Sequence, residues 1–233
     1  MKWLILTFVL CLCSSSARAL SLTELRADSR LLTNDASGTR QRFTDAQITG
    51  WLNEGQRMLD VRSLCVYKSF SFDLAAGTTY YSLPSDFLEI KRVLRDNIEI
   101  YEMTPAALDS RSSQWETSSG VPTYYFLNFS TRTKLGFAPF PALSTDLGTI
   151  KVDYIAYSTA MASDGDIPFS GTVEFYPYHY ALSYYAAYKM SVIDERLTLA
   201  EIYLKQFEAM AVLIKERCIE RPNYNPGMVG RKQ

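Results

Sequence analysis

The spacing of apolar residues changes near residue 67 from the period of a helix to the period of a strand. Upstream, apolar residues between Ile48 and Leu59 recur three or four positions apart, which is the repeat of one buried helix face. Downstream, positions 70, 72 and 74 are apolar and alternate with polar positions, which is the pattern of a half-buried strand. The fold therefore has to combine helices with a sheet.

The predicted helix after residue 43 has a defined start and a defined buried face. Thr44 and Gln47 have the spacing of a capping box, in which two side chains satisfy backbone N–H groups of the first turn. Phe43 and Ile48 have the spacing of a hydrophobic staple. The residues expected in the core are Phe43, Ile48, Trp51, Leu52 and Leu59. The residues expected on the opposite, solvent-facing side are Asn53, Glu54, Gln56 and Arg57.

The C-terminal part of the chain also has helical spacing. One helix, rich in Tyr and Ala, is predicted from Tyr178 to Val192, and another begins at a capping box of Thr198 and Glu201. In the second helix, apolar positions recur at alternating spacings of four and three, as in a helix packed lengthwise on another helix. These positions are Ala200, Leu204, Phe207, Ala211, Ile214 and Cys218. We expect this stripe to pack inside the subunit, with a seam between subunits as the alternative.

Short strand candidates lie between the two helical parts, among them a hairpin around Arg95-Asp96-Asn97. The sequence thus predicts an α+β fold, with N- and C-terminal helices packed as a small bundle and a central antiparallel β domain. The expected segments are a signal-like leader at 1–19, N-terminal helices at 20–66, an antiparallel β region at 67–160, a C-terminal helical region at 161–220 and an extended tail at 221–233.

The leader has the features of an export signal. Lys2 precedes an apolar run of about eleven residues, which is too short to span a bilayer, and Ala17-Arg18-Ala19 fits the site of a signal peptidase. An exported protein would begin at Leu20 and be periplasmic or secreted. The alternative is an upstream start codon that adds a leader to a protein beginning near Leu20.

Two cysteines lie beyond the leader, Cys65 and Cys218. Export would permit them to pair, but two cysteines do not make a disulfide framework. The sequence favours unpaired thiols that act as small buried hydrophobes, and it leaves the pairing open.

The residue groupings that chemistry usually requires do not appear in the sequence. His179 is the only histidine, and its place among tyrosines at a helix start favours a structural role. Asp164 and Asp166 resemble the opening of a calcium loop whose later ligands are missing, so a solvated turn is expected. The formal charge is −1, or −3 without the leader, which argues against binding nucleic acid through a basic face. We expect a protein that is not an enzyme and that uses no cofactor or metal.

Several segments resemble the head-to-tail adaptor proteins of short-tailed bacteriophages, over roughly residues 22 to 218. The resemblance is carried by RFTDAQITGWLNEGQRML, LAAGTTYYSLPSDFLEIKRVL, MTPAALDS, SSGVPTYYFLN, LGFAPFP and TIKVDYIAY. It implies a structural virion protein that is assembled in the host cytoplasm and forms a ring, typically of twelve copies, beneath the portal protein. Such a ring extends the DNA channel and docks a tail or nozzle protein, and a slightly acidic chain lets DNA pass through the lumen without sequence-specific binding.

The tail from residue 221 is expected to dock on the portal protein. Its prolines and glycines prevent a packed element of its own, and a terminus of this kind is commonly either frayed or bound to a partner. The candidate docking residues are Arg221, Tyr224, Asn225, Pro226 and Arg231. The alternative to an adaptor is an exported β-rich binding or surface module, and an enzyme with paired carboxylates is the third reading.

Overall fold

The computed structural model describes residues 18–35, 41–128 and 133–219, which form an α+β fold. The described helices are α1 (Leu22–Thr33), α2 (Asp45–Ser63), α3 (Pro105–Arg111), α4 (Tyr180–Ile193) and α5 (Leu197–Ile219). The described strands are β1 (Tyr67–Asp73), β2 (Tyr80–Ser82), β3 (Phe87–Arg95), β4 (Ile98–Glu102), β5 (Tyr124–Leu127), β6 (Lys134–Ala138) and β7 (Thr149–Ala156). The described residues form two compact units: a helical unit of those up to residue 63 and from residue 158 onward, and a β unit of those between residues 64 and 157.

The helical unit is organised around α4, which packs against α1, α2 and α5. Small side chains on α4, including Ala181, Ala186 and Ala187, are fully buried and allow the neighbouring helices to approach closely. Gly55 of α2 lies so near Tyr185 that an added Cβ would be 3.0 Å from the Tyr185 Cβ. This close approach explains why a glycine interrupts the buried face of α2.

The starts of the helices only partly follow the predictions. The capping box at α2 is confirmed, since the Thr44 N–H donates to Gln47 Oε1 (2.8 Å) and the Gln47 N–H donates to Thr44 Oγ1 (3.2 Å). The capping box predicted at Thr198 and Glu201 is wrong, because α5 begins at Leu197 and Thr198 lies within its first turn. The Ala200 N–H donates to the Arg196 carbonyl, so Arg196 precedes the helix at the capping position.

The β unit contains a curled sheet with the strand order β1-β7-β3-β4-β5-β6-β2. Neighbouring strands are antiparallel except for β4 and β5, which are parallel. Although β1 and β2 form opposite ends of this order, Phe72 of β1 stacks on Tyr81 of β2 at 4.7 Å between ring centroids. Aromatic packing across the two end strands therefore stabilises the curl of the sheet.

The predicted hairpin joins β3 and β4. Asp96 and Asn97 occupy its turn with φ values of 48° and 68°, the left-handed conformation that a two-residue hairpin turn requires and that Asp and Asn tolerate best after glycine. The predicted α+β class, with helices at both ends of the chain and a β domain between them in the sequence, is confirmed, although the parallel β4–β5 pair departs from the expected antiparallel pairing.

Burial differs from the sequence-based expectation at two positions of α2. Ile48, Leu52 and Leu59 are fully buried and Phe43 is 5% exposed, but Trp51 is only half-buried. The prediction of a solvent-facing Gln56 is wrong, because this side chain is 2% exposed. Cys65 and Cys218 are both buried and disulfide-bonded, so the preference for unpaired thiols is also wrong.

The partial exposure of Trp51 lowers the expected cost of removing its side chain. If Trp51 were fully buried, Trp51→Ala would lower the free energy of unfolding by about 3–5 kcal/mol. The ring is half-buried and packs edge-on against Phe43 at 5.5 Å, so we expect a loss of about 2 kcal/mol. Urea unfolding of the variant checks this value. Trp51→Phe, which keeps an aromatic ring beside Phe43, is the control and should lose less than half as much.

Candidate functional site

A buried ionic cluster joins the end of α1 to the start of α2. The Asp35 side chain is fully buried and lies 2.5 Å from Nη1 of Arg30, whose side chain is 9% exposed. The Arg42 N–H also donates to Asp35 Oδ1 at 2.9 Å, and Nη2 of Arg30 contacts the exposed Asp45 at 2.6 Å. These contacts satisfy a charge that would otherwise be costly to bury, so the cluster holds the end of α1 next to the start of α2.

A second polar feature is a row of side chains along α2, in which Gln56 and Asp60 are buried and Asn53 is half-buried. Asn53, Gln56 and Asp60 are spaced by three and four residues, so they share one face of the helix. Asn53 exchanges hydrogen bonds with both backbone groups of Met161. Gln56 donates to the Thr159 carbonyl at 2.9 Å and accepts from the Phe169 N–H at 3.0 Å.

Asp60 completes this row at the C-terminal end of α2. It accepts 2.8 Å hydrogen bonds from the Ser158 N–H and from the Ser158 hydroxyl. All three side chains bind backbone or hydroxyl groups of residues 158–169, so the row helps to secure a segment that lies outside the regular helices and strands. Sequence reasoning missed this role, although the polar spacing was visible.

His179 is fully buried in the helical unit. Its Nδ1 accepts a hydrogen bond from the Leu20 N–H at 3.1 Å, which requires this nitrogen to be unprotonated. Burial lowers the pKa of His179 to about 4, because desolvation penalises the charged imidazolium. A neutral histidine that accepts from a backbone amide is a structural group, as the sequence favoured.

The low pKa of His179 predicts a pH dependence of stability. The unfolded state, with a pKa near 6.5, binds more protons between pH 6.5 and 4 than the folded state, so the stabilisation present above pH 6.5 is lost as pH falls towards 4. Over this pH range the free energy of unfolding falls by about 3 kcal/mol. Urea unfolding of the wild type and of His179→Gln at pH 7 and pH 4 checks this, because only the wild type should show this additional loss. Equal losses in both proteins would mean that the folded His179 titrates normally.

A cleft of about 280 Å³ opens in the β unit beside α3. Its walls include Leu108, Trp115, Tyr124 and Pro139, and the Arg111 guanidinium lies over the Tyr124 ring at 5.2 Å. The cleft is slightly smaller than the roughly 300–1,000 Å³ of typical small-molecule pockets. Its lining provides packing surface and one cation, and it includes neither a histidine nor a carboxylate that could act as a general base.

The remaining predicted positions are structural or fall outside the described residues. Asp166 accepts from the Ala162 and Ser163 N–H groups at 2.7 and 2.8 Å, and these two bonds hold the pKa of its carboxyl below the usual value. Asp164 pairs with Arg26 at 2.7 Å, so the two aspartates belong to a hydrogen-bonded turn. The tail candidates Arg221, Tyr224, Asn225, Pro226 and Arg231 lie outside the described residues.

The residues that the structure describes contain no group of three or more His, Cys, Asp or Glu side chains placed to hold a metal ion. Within the same residues, none of the helices has both the length and the apolar character needed to cross a bilayer.

The helices at both ends of the chain and the curled aromatic sheet define a protein of the α+β class. The family model described as SU10 adaptor protein matches residues 20–228. Because the match covers most of the chain, the protein belongs to the SU10 adaptor protein family and is a structural head-to-tail adaptor of a bacteriophage. The search of curated proteins found no match.

Proposed function

We propose that this protein forms a ring of twelve copies beneath the portal of the filled capsid, where it extends the DNA channel and docks the tail or nozzle protein. The family match over residues 20–228 carries the proposal. In this role the protein is a virion component, assembled in the host cytoplasm, that acts without catalysis or a cofactor. The family match favours this role over that of an exported binding module.

The physical character of the chain supports passage of DNA through such a ring. The chain has a formal charge of −1, so it offers little excess positive charge to hold phosphates. Aromatic residues, which are enriched in subunit interfaces, make up 13% of the sequence. A channel component needs both properties, because it must associate tightly with its neighbours and weakly with the DNA inside it.

The tail is proposed to dock on the portal. Tyr224, Asn225 and Pro226 combine an amphipathic ring with a rigid turn, and Arg221 and Arg231 add positive charge on either side. A segment of this composition can become ordered on a neighbouring protein, at an entropic cost that reduces the net affinity.

Deletion of residues 222–233 should abolish binding to purified portal rings and leave the melting temperature of the subunit nearly unchanged. The reason is that a Pro- and Gly-rich terminus contributes little to the core. Co-sedimentation with portal rings measures binding, and differential scanning calorimetry measures melting. Tyr224→Ala tests the proposed anchor, with Gln233→Ala as the matched control within the tail. Undiminished binding by the truncated protein would refute docking through the tail.

A further inference from the structure

Helix α5 carries a second apolar stripe that the sequence analysis did not identify. The first stripe, which includes Ala200, Phe207 and Ile214, is buried within the helical unit, as expected for core packing. The second stripe consists of Leu199, Ile202, Gln206, Ala209 and Leu213, all of them exposed. Its spacings of three, four, three and four residues are those of a helix seam, and at 3.6 residues per turn it lies on roughly the opposite side of the helix.

Further exposed aliphatic side chains lie at the end of α4 and along α5. Seven large aliphatic residues between the end of α4 and the middle of α5 expose 39% to 68% of their surface. They are Val192, Ile193, Leu197, Leu199, Ile202, Val212 and Leu213. Their combined exposed apolar area is on the order of 400 Å², comparable to the patches that mark interaction sites on monomers.

We propose that the outer stripe of α5 packs against a second copy of this chain and forms the lateral contact between subunits. The inference rests on the proposed ring. One side of a standard interface buries roughly 800 Å², of which more than half is apolar. The exposed area around the stripe therefore supplies most of the apolar part of one such side.

The charges around the stripe are compatible with burial in an apolar interface. No member of the stripe is charged, in keeping with the depletion of charged residues at interface cores. The nearby Lys205 already pairs with Glu201 at 2.7 Å on the same helix. A neighbouring copy that covers the stripe beside Lys205 therefore meets a charge that is already paired.

The test uses the full chain and purified portal rings. Ile202→Glu combined with Leu213→Glu places two carboxylates on the stripe at positions that are 47% exposed, so the subunit should keep its circular dichroism spectrum and melting temperature. Val173→Glu, at a position that is 66% exposed and outside α5, is the control. Native mass spectrometry during a titration counts the copies bound to each portal ring.

We expect the wild type and the control to fill portal rings cooperatively, so that empty and full rings coexist. Copies of the double variant should bind to a portal ring independently of one another, so partly filled rings should appear. Complete filling should need at least a tenfold higher protein concentration, while a single copy should bind the portal with unchanged affinity. Cooperative filling by the double variant would overturn the proposal. Loss of single-copy binding would assign the stripe to the portal instead and would also overturn it. If the wild type itself failed to bind portal rings, both the proposed function and this inference would be wrong.

Discussion

Asp35→Ala should lower the free energy of unfolding by about 3–5 kcal/mol. The fully buried Asp35 carboxylate is the main partner of the Arg30 guanidinium, whose side chain is only 9% exposed. Its removal leaves Arg30 with the solvent-exposed Asp45 and removes the acceptor of the Arg42 N–H. A nearly buried charge would then lack its closest counter-charge, and this penalty accounts for most of the predicted loss.

Urea unfolding of the isolated protein measures this effect. Asp45→Ala is the matched control, because it removes the other carboxylate bound to Arg30 at a site where the side chain is 60% exposed. Exposed ion pairs contribute little, so the control should lose no more than about 1 kcal/mol. Equal losses in the two variants would show that burial of Asp35 does not determine the strength of the pair.

Gly136→Val should also destabilise the protein, by about 3 kcal/mol. A Cβ at position 136 of β6 would clash with Cζ of Phe126 on the paired strand β5, so the ring has to move. Phe126 is 2% exposed and packs edge-on against Trp115 at 5.1 Å. Displacing this ring combines the strain of an overpacked core with the loss of part of a buried aromatic contact.

The control for this second prediction is Gly165→Val, since an added Cβ at Gly165 would meet no atom within 4 Å. It should change the free energy of unfolding by no more than about 0.5 kcal/mol. A compensating change, Phe126→Leu in the Gly136→Val background, should recover part of the loss by removing the clashing ring. If the double variant were as unstable as Gly136→Val alone, the clash with the Phe126 ring would not be the cause of the destabilisation.

The sequence was sufficient where local rules act over a few residues. The α2 capping box depends on Thr44 and Gln47 alone, and the β3–β4 turn depends on Asp96 and Asn97, so both were predictable. The buried stripe of α5 was also predictable, because its apolar residues recur three or four positions apart in the sequence. These features require no knowledge of which distant segments meet.

The features that the sequence missed depend on distant partners. Gln56 looks like a surface residue until residues 159 and 169 are placed beside it, more than a hundred positions along the chain. Trp51 looks like a core residue, yet the packing of the folded chain leaves it half-buried. The outer stripe of α5 was overlooked because Gln206 and Ala209 weaken its apolar pattern, and its exposure became apparent only after the inner stripe had been placed in the core.

Cryo-electron microscopy of the portal vertex in purified virions tests the central proposal most directly. We expect a closed ring of twelve copies of this chain immediately beneath the portal, around a continuous DNA channel, with residues 221–233 bound to portal subunits. A portal vertex without this chain, or this chain at another place in the particle, would contradict the proposed function.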